Sequence, residues 1–143
     1  MKIRNRIRNR RVSCFTLIEI VTVIIILALL VGIATPMYWR YVKNAKITTA
    51  KTQIKLIEQA LFDFKADMGN VPDQTTGLRH LIENVNHEKK WDGPYLKNLP
   101  KDPWSKDYIY VIPGQHGECD IITYGSDGLP GGSGEAADIG NWE

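Results

Sequence analysis

The stretch Phe15-Thr16-Leu17-Ile18-Glu19-Ile20 opens the apolar segment on which the fold of this chain depends. Apolar residues dominate as far as Met37, and a helix over residues 20–37 would be about 27 Å long, because each residue adds about 1.5 Å. That length matches the hydrocarbon core of a bilayer, so the segment is predicted to cross a membrane. Glu19 lies at the edge of the span, where lipid offers a carboxylate no partner. We therefore expect a cation to pair with Glu19.

The segment before this run is strongly basic, and the rest of the chain is acidic. Six of the 18 Lys and Arg residues precede the apolar run, whereas none of the 16 Asp and Glu residues does. The remainder has twelve basic against sixteen acidic residues, a net charge of −4. Nucleic acid is therefore not expected as a partner, because its binding requires clustered basic groups. Basic residues beside a first span favour the cytoplasmic side, which places the rest of the chain in the periplasm.

The N-terminal region differs from an ordinary removable signal peptide. Its apolar run is longer than the core of such peptides, and a carboxylate interrupts the beginning of the run. We therefore predict a retained helix that spans the membrane. Beyond this helix there is room for one small domain, since the whole chain has 143 residues.

The helical pattern continues past Met37 but becomes amphipathic. Apolar residues recur at spacings of three and four, which predicts one buried stripe: Ile47, Ala50, Ile54, Ile57, Leu61, Phe64 and Met68. Gly69 and Pro72 supply the end of the helix. Pro36 removes a backbone hydrogen bond within it, so we expect a kink or a melted turn there.

The remainder of the chain predicts a small head that completes an α+β fold. A short helix is predicted from Thr75 or Thr76 through Val85, followed by a proline-containing loop over residues 86–104. Residues 108–112 and 119–123 are rich in β-branched and aromatic side chains and flank a Pro-Gly turn, which indicates a β-hairpin. Two strands alone are marginally stable. We therefore expect the hairpin to pack on the amphipathic helix, with a short third strand from the C-terminal end.

Cysteines, histidines and tryptophans offer no catalytic or metal-binding pattern. Cys14 and Cys119 lie on opposite sides of the predicted span and are not expected to pair, and acidic neighbours disfavour a thiolate at Cys119. The three histidines lack metal-ligand spacing, so surface or turn positions are predicted for His80, His87 and His116. Packing roles are predicted for Trp104 and Trp142.

The basic leader, the run Phe15-Thr16-Leu17-Ile18-Glu19 and the apolar helix together resemble the class III signal of type IV pilins and pseudopilins. The resemblance implies cleavage by a prepilin peptidase between Cys14 and Phe15, followed by N-methylation of Phe15. Family members usually have Gly where this chain has Cys14, which keeps a small side chain. Cleavage would create an α-ammonium group at Phe15 that can pair with Glu19, within one subunit or between neighbouring subunits.

Several segments of the body narrow the resemblance to the major pseudopilin family of the type II secretion system. They are Asp102-Pro103-Trp104, Pro113-Gly114-Gln115-His116-Gly117, Gly125-Ser126-Asp127-Gly128 and Asp138-Ile139-Gly140-Asn141-Trp142. The family is a structural one, so no enzyme activity is implied. Its members polymerise into a helical periplasmic filament that drives export of folded proteins across the outer membrane.

The resemblance also implies a domain organisation and a set of partners. Residues 1–14 would be a removed leader, residues 15–37 the transmembrane and assembly helix, and residues 38–143 the periplasmic head, which includes the amphipathic half of the long helix. The implied partners are further copies of the chain, minor pseudopilins, an inner-membrane assembly platform, the prepilin peptidase, and membrane lipid before assembly.

A glycine-rich acidic segment between Tyr124 and Trp142 suggests a cation site. Three acids, Asp127, Glu135 and Asp138, lie among glycines whose turns can direct carbonyl oxygens inward, and such hard ligands suit Ca²⁺. Acidic glycine-rich loops without metal are also common, so the pattern alone leaves the site open. The resemblance implies a structural calcium ion held by the side chains of Asp127 and Asp138 and by the carbonyls of Tyr124 and Leu129. Where related motifs have two adjacent acids this chain has Ala137-Asp138, so Glu135 or water would replace one ligand.

Two alternatives share parts of this pattern. A subunit of a surface type IV pilus would have the same signal and helix, although such pilins often close their C-terminal region with a disulfide and only Cys119 lies in this head. A membrane-tethered periplasmic binding protein would use the helix only as an anchor. In that case Glu19 and cleavage after Cys14 would be incidental.

Overall fold

A computed structural model describes residues 15–143, so the predicted leader and Cys14 lie outside the described residues. The first element is helix α1, Leu17–Met68, which is 52 residues long. Helical structure continues without a break through Pro36, so the kink or melted turn expected there does not take the form of a melted turn. The chain divides into two compact units, the first ending at Trp39 and the second covering Arg40–Glu143.

The first unit exposes an apolar helix surface. Every large apolar side chain in residues 17–39 is at least 40% exposed. In the described part of the chain, α1 is the one helix long and apolar enough to cross a membrane. The hydroxyls of Thr22 and Thr35 donate to the carbonyls of Ile18 and Val31 at 2.8 and 2.7 Å, so these polar groups are satisfied within the helix. This surface suits lipid or neighbouring helices rather than water.

The second unit has a core built on the predicted stripe of α1. The buried residues of α1 are Ala50, Ile54, Ile57, Ala60, Leu61 and Phe64. They form one cluster with Leu78, Leu81, Tyr108, Tyr110, Ile121 and Ile139. Burying each Ile, Leu or Phe side chain stabilises the fold by about 1.5–3 kcal/mol. The predicted packing of hairpin and helix is therefore confirmed.

Three antiparallel strands in the order β1-β2-β3 form the sheet of the head, as the sequence predicted. Strand β1 is Ile109–Val111, β2 is Asp120–Thr123 and β3 is Ile139–Gly140. Tyr110 pairs with Ile121 across the hairpin. Its hydroxyl donates to the carbonyl of Pro72 at 2.7 Å, which ties β1 to the segment after α1.

The short helix is smaller than predicted, and its N-cap residue makes no side-chain capping bond. It is a 3₁₀ turn, Gly77–Leu81, and not a helix extending to Val85. The side chain of Thr76 makes no capping hydrogen bond. Instead, the carboxylate of Asp73 accepts from the backbone N–H groups of Thr75 and Thr76 at 2.9 and 2.8 Å. A second 3₁₀ turn covers Gly134–Ala136.

One of the three histidines predicted at surface or turn positions lies in a turn but is buried. His80 is only 2% exposed and packs edge-on against Phe64 at 4.9 Å between ring centroids. His87 and His116 are exposed, as predicted. His116 stacks on Trp142 at 3.8 Å between centroids, which gives that tryptophan the packing role expected of it.

Cys119 is half-buried directly before β2, and its thiol is free. Burial raises the pKa of this thiol above its usual value. A raised pKa lowers the thiolate fraction and hence the reactivity of the group. The prediction of a structural rather than reactive cysteine is therefore supported.

Candidate functional site

Residues 124–138 form a loop between β2 and β3, here called the acidic loop. Its two arms lie side by side, because the N–H of Ser126 donates to the carbonyl of Glu135 at 2.9 Å. Gly125 has a φ of +57°, and a Cβ there would approach the carbonyl oxygen of Ala137 at 2.9 Å. Both features require glycine at this position, so the close approach of the arms depends on Gly125.

The acidic loop contains the predicted calcium ligands. Oδ2 of Asp138 accepts from the N–H of Gly131 at 2.9 Å, whereas Oδ1 is buried and has no hydrogen-bond partner among the described residues. Oδ1 of Asp127 accepts from the N–H of Leu129 at 3.1 Å. Since a buried carboxylate oxygen without a partner is costly, Asp138 is the residue best suited to hold a cation.

The donor set of the loop favours carbonyl and water ligands. In residues 15–143, no three His, Cys, Asp or Glu side chains gather as metal ligands. The carbonyl of Tyr124 accepts from the N–H of Gly128 at 3.1 Å, and a carbonyl oxygen has a second lone pair for a further partner. Such a set fits Ca²⁺, which accepts carbonyl and water oxygens, better than a transition metal.

The side-chain carboxylate of Glu135 contacts residues outside the acidic loop. Its Oε1 accepts from Trp104 Nε1 at 3.0 Å and lies 3.6 Å from Lys46 Nζ. Its Oε2 lies 3.9 Å from Lys43 Nζ. The hydrogen bond from Trp104, together with the two lysines, lowers the pKa of Glu135 below its ordinary value. The carboxylate therefore fastens the loop to the amphipathic part of α1.

Asp102 is a buried structural residue beside the acidic loop, and the sequence analysis missed its individual role. It is 4% exposed and accepts from the N–H groups of Trp104 and Lys106 at 3.0 and 2.7 Å. It also accepts from the hydroxyl of Thr123 in β2. An aspartate two residues before the group that it caps is the local signature of such a turn. The bond to Thr123, 21 residues away, has no local signature.

We predict that the head loses stability as the pH falls from about 5 to about 2. Hydrogen bonds from Thr75 and Thr76 lower the pKa of Asp73 from 3.8 to about 2, and the pKa of Glu135 is also lowered from 4.5. Because the folded-state values are depressed, the unfolded chain binds more protons in this window. The stabilisation is complete above the unfolded pKa values and is lost as the pH falls through the folded ones. Thermal unfolding of the full chain in detergent should show Tm falling by several degrees.

Asp73→Asn provides the control for this pH dependence. The variant lacks one of the carboxyl groups whose pKa is lowered in the folded state, so its Tm should fall less between pH 4 and pH 2 than that of the wild type. A wild-type Tm that stays constant across the whole window would contradict the prediction.

The second predicted site is the beginning of α1. The N–H of Glu19 donates to Oγ1 of Thr16 at 3.3 Å, so Thr16 caps the helix and Glu19 lies in its first turn. The Thr-x-x-Glu spacing, which the sequence analysis did not use, is the signature of this arrangement. Phe15 is 72% exposed and Glu19 is exposed as well. Both residues are accessible to a neighbouring molecule.

Comparisons with known proteins agree on one family. A profile of the family described as "Type II secretion system (T2SS), protein G" matches residues 38–142. The chain is 42% identical to type II secretion system core protein G of Pseudomonas aeruginosa, over 95% of this chain and 99% of the relative. It is 39% identical to the protein of the same description from Vibrio cholerae, over 94% of each chain.

A solved structure is similar as well. It is the crystal structure of the major pseudopilin from the type 2 secretion system of enterohaemorrhagic Escherichia coli, with a TM-score of 0.58 and 34% sequence identity. The match covers 69% of this chain and 88% of that one. At 34% identity the two chains are similar in sequence as well as in fold.

Proposed function

Because the chain belongs to the type II secretion system protein G family, we propose a route by which it is processed, stored and assembled. The protein is a structural subunit of the pseudopilus of that system and not an enzyme. It assembles with other components of the system and is anchored in a membrane with its head in the periplasm. Family membership decides against a surface type IV pilin and against a tethered binding protein.

The exposed apolar surface of residues 17–39 is the observation that carries the assembly route. We infer that lipid of the inner membrane covers this surface before assembly and that helices of neighbouring copies cover it in a helical filament. The exchange replaces one apolar environment by another, so it gains little from the hydrophobic effect. Specific polar contacts must therefore supply the register. Minor pseudopilins and an inner-membrane platform complete the proposed set of partners.

Glu19 is the residue we propose for this register. From Phe15 to Trp39 it is the only acidic or basic side chain in the sequence. Removal of residues 1–14 by a prepilin peptidase would place a charged α-amino group at Phe15, close in sequence to Glu19. In an apolar environment, pairing with the ammonium group of a neighbouring subunit would strongly stabilise the carboxylate of Glu19. Residues 15–37 would then be the assembly helix and residues 38–143 the head.

We predict that the mature protein begins with N-methylated Phe15. Mass spectrometry of the N-terminal peptide, purified from cells that contain a prepilin peptidase, measures both the cut and the methyl group. Cys14→Gly supplies the residue usual in the family and should give the same mature terminus. In cells without the peptidase the leader should remain. A start at Met1, or a cut elsewhere, in peptidase-containing cells would overturn the processing route.

We also propose that the acidic loop binds a structural calcium ion. The proposed ligands are the side chains of Asp127 and Asp138, the carbonyls of Tyr124 and Leu129, and water. The unpartnered buried Oδ1 of Asp138 supports this assignment. Glu135 is left outside the set because Trp104 and two lysines already engage its carboxylate. Bound calcium would neutralise the acids and hold the C-terminal end of the head in one conformation.

A further inference from the structure

The turn formed by residues 102–106 lies beside both arms of the acidic loop. We propose that this turn is a bracket, which holds the two arms in place before calcium binds. The inference deepens the proposed calcium site and rests on it for the metal, but the contacts that carry it lie entirely within the protein. Two residues of the turn hold the loop: Lys106 contacts one arm directly, and Trp104 contacts Glu135 in the other arm.

Lys106 holds the first arm of the loop. Its Nζ donates to the carbonyls of Gly125 and Ser126 at 3.2 and 3.1 Å. Gly128 has a φ of +73°, and a Cβ at that position would collide with the end of the Lys106 side chain. The lysine therefore lies against the backbone of this arm, and a charged donor shared by two carbonyls restrains their direction.

Trp104 holds the second arm through Glu135. The indole N–H donates to Oε1 of Glu135 at 3.0 Å, and the Glu135 side chain is 19% exposed. Lys46 of α1 approaches the same oxygen at 3.6 Å. Because Trp104 and Lys106 are two residues apart in one turn, the turn links the two arms in addition to the direct hydrogen bond from Ser126 to Glu135.

Asp102 anchors the bracket to the sheet. The buried carboxylate accepts from the backbone of Trp104 and Lys106 and from the hydroxyl of Thr123 in β2. The turn is closed by a hydrogen bond from the N–H of Ser105 to the carbonyl of Asp102 at 2.9 Å. The buried carboxylate of Asp102 thus fixes Trp104 and Lys106 relative to β2, the strand that leads into the acidic loop.

A restrained loop changes the binding of calcium. Ordering a flexible loop opposes binding, and a loop already held in its bound conformation avoids most of that cost. Lys106 and Glu135 contact groups other than the proposed ligands, so the bracket leaves Asp127 and Asp138 available. The bracket should therefore raise calcium affinity without contributing a ligand.

The first experiment measures the metal-free loop. Full-length Lys106→Met and Glu135→Gln proteins in detergent with excess chelator are compared with the wild type by hydrogen exchange of residues 125–137. We expect exchange there to be about tenfold faster in each variant, because each has lost a charge-assisted restraint. Lys97→Met, an exposed lysine elsewhere in the head, and Glu83→Gln, an acid paired with Arg79, serve as matched controls and should exchange as the wild type.

The second experiment measures the affinity for calcium itself by calorimetry. Both bracket variants should bind Ca²⁺ about tenfold more weakly, and Lys106→Arg should restore affinity. Unchanged loop exchange in Lys106→Met and Glu135→Gln would overturn the bracket, and faster exchange with unchanged affinity would overturn its effect on calcium. If the wild type takes up no calcium, the proposed calcium site fails, and the exchange comparison still decides whether the bracket holds the arms.

Discussion

Glu19→Val protein should enter the membrane as the wild type does and fail to form filaments. Valine removes the single ionisable side chain of the assembly helix and keeps the segment apolar, so insertion is retained. An incoming subunit then lacks the carboxylate that would pair with the α-amino group of Phe15. A charge-assisted hydrogen bond contributes about 1.5–3 kcal/mol, which corresponds to roughly ten- to a hundredfold in each subunit addition. Repeated at every step, this loss should abolish long filaments.

The measurement compares membrane fractions with filaments seen by electron microscopy after overexpression of the chain with its assembly machinery. Thr22→Val is the matched control, because its hydroxyl already donates to the carbonyl of Ile18 within the helix. That variant loses a polar group of the same segment and should assemble normally. Glu19→Gln, which keeps a polar group but not the charge, should assemble poorly. Filaments of normal length from Glu19→Val would remove Glu19 from the assembly mechanism.

Removing calcium should lower the thermal stability of the head by roughly 10–20 °C. At a free calcium concentration about 100-fold above Kd, binding to the folded state alone stabilises it by about 2.7 kcal/mol. For a domain of about 100 residues, each kcal/mol shifts Tm by about 4–8 °C. The physical cause is the acidic loop, in which the buried Oδ1 of Asp138 has no partner among the described residues. Thermal unfolding of the full chain in detergent, with Ca²⁺ or with chelator, measures the shift.

Asp138→Asn separates calcium binding from general destabilisation. The amide keeps the shape of the side chain without its charge, so the variant should have a Tm near that of the chelated wild type whether or not calcium is added. Asp107→Asn, at an acid whose side chain is 84% exposed and lies outside the loop, should keep the full calcium response. Magnesium should stabilise the wild type much less, because it requires a tighter octahedral set of ligands. A wild-type Tm that is the same in calcium and in chelator would refute the structural ion.

The two sites differ in how far local sequence reasoning could reach them. The site at the beginning of α1 could be predicted from the sequence, because a single carboxylate four residues into an apolar run is visible there directly. The proposed ligand role of Asp138 came from the resemblance, and the burial of its Oδ1 became visible only in the fold. Glu135 shows the difference most clearly. Its place among glycines suggested a possible ligand, whereas Trp104, 31 residues earlier in the chain, engages the carboxylate.

Local patterns in the sequence are sufficient to specify the long helix and the hairpin. The patterns are an apolar run long enough for a bilayer, a stripe at spacings of three and four, and two β-branched segments around a turn. These patterns follow the residue repeat of each helix or strand, so they can be recognised in the sequence without the folded structure. The third strand was also within reach, since an isolated hairpin requires further support.

Positions that depend on contacts between distant residues became known only from the folded chain. His80 is buried and packs against Phe64 of α1, although the local sequence predicted only a surface or turn position. The short helix ends at Leu81, and the carboxylate of Asp73 closes the turn that precedes it. Asp102 accepts a hydrogen bond from Thr123, and both arms of the acidic loop contact the turn formed by residues 102–106. Packing brings such residues together across many intervening positions, and no periodicity in the sequence records which of them will meet.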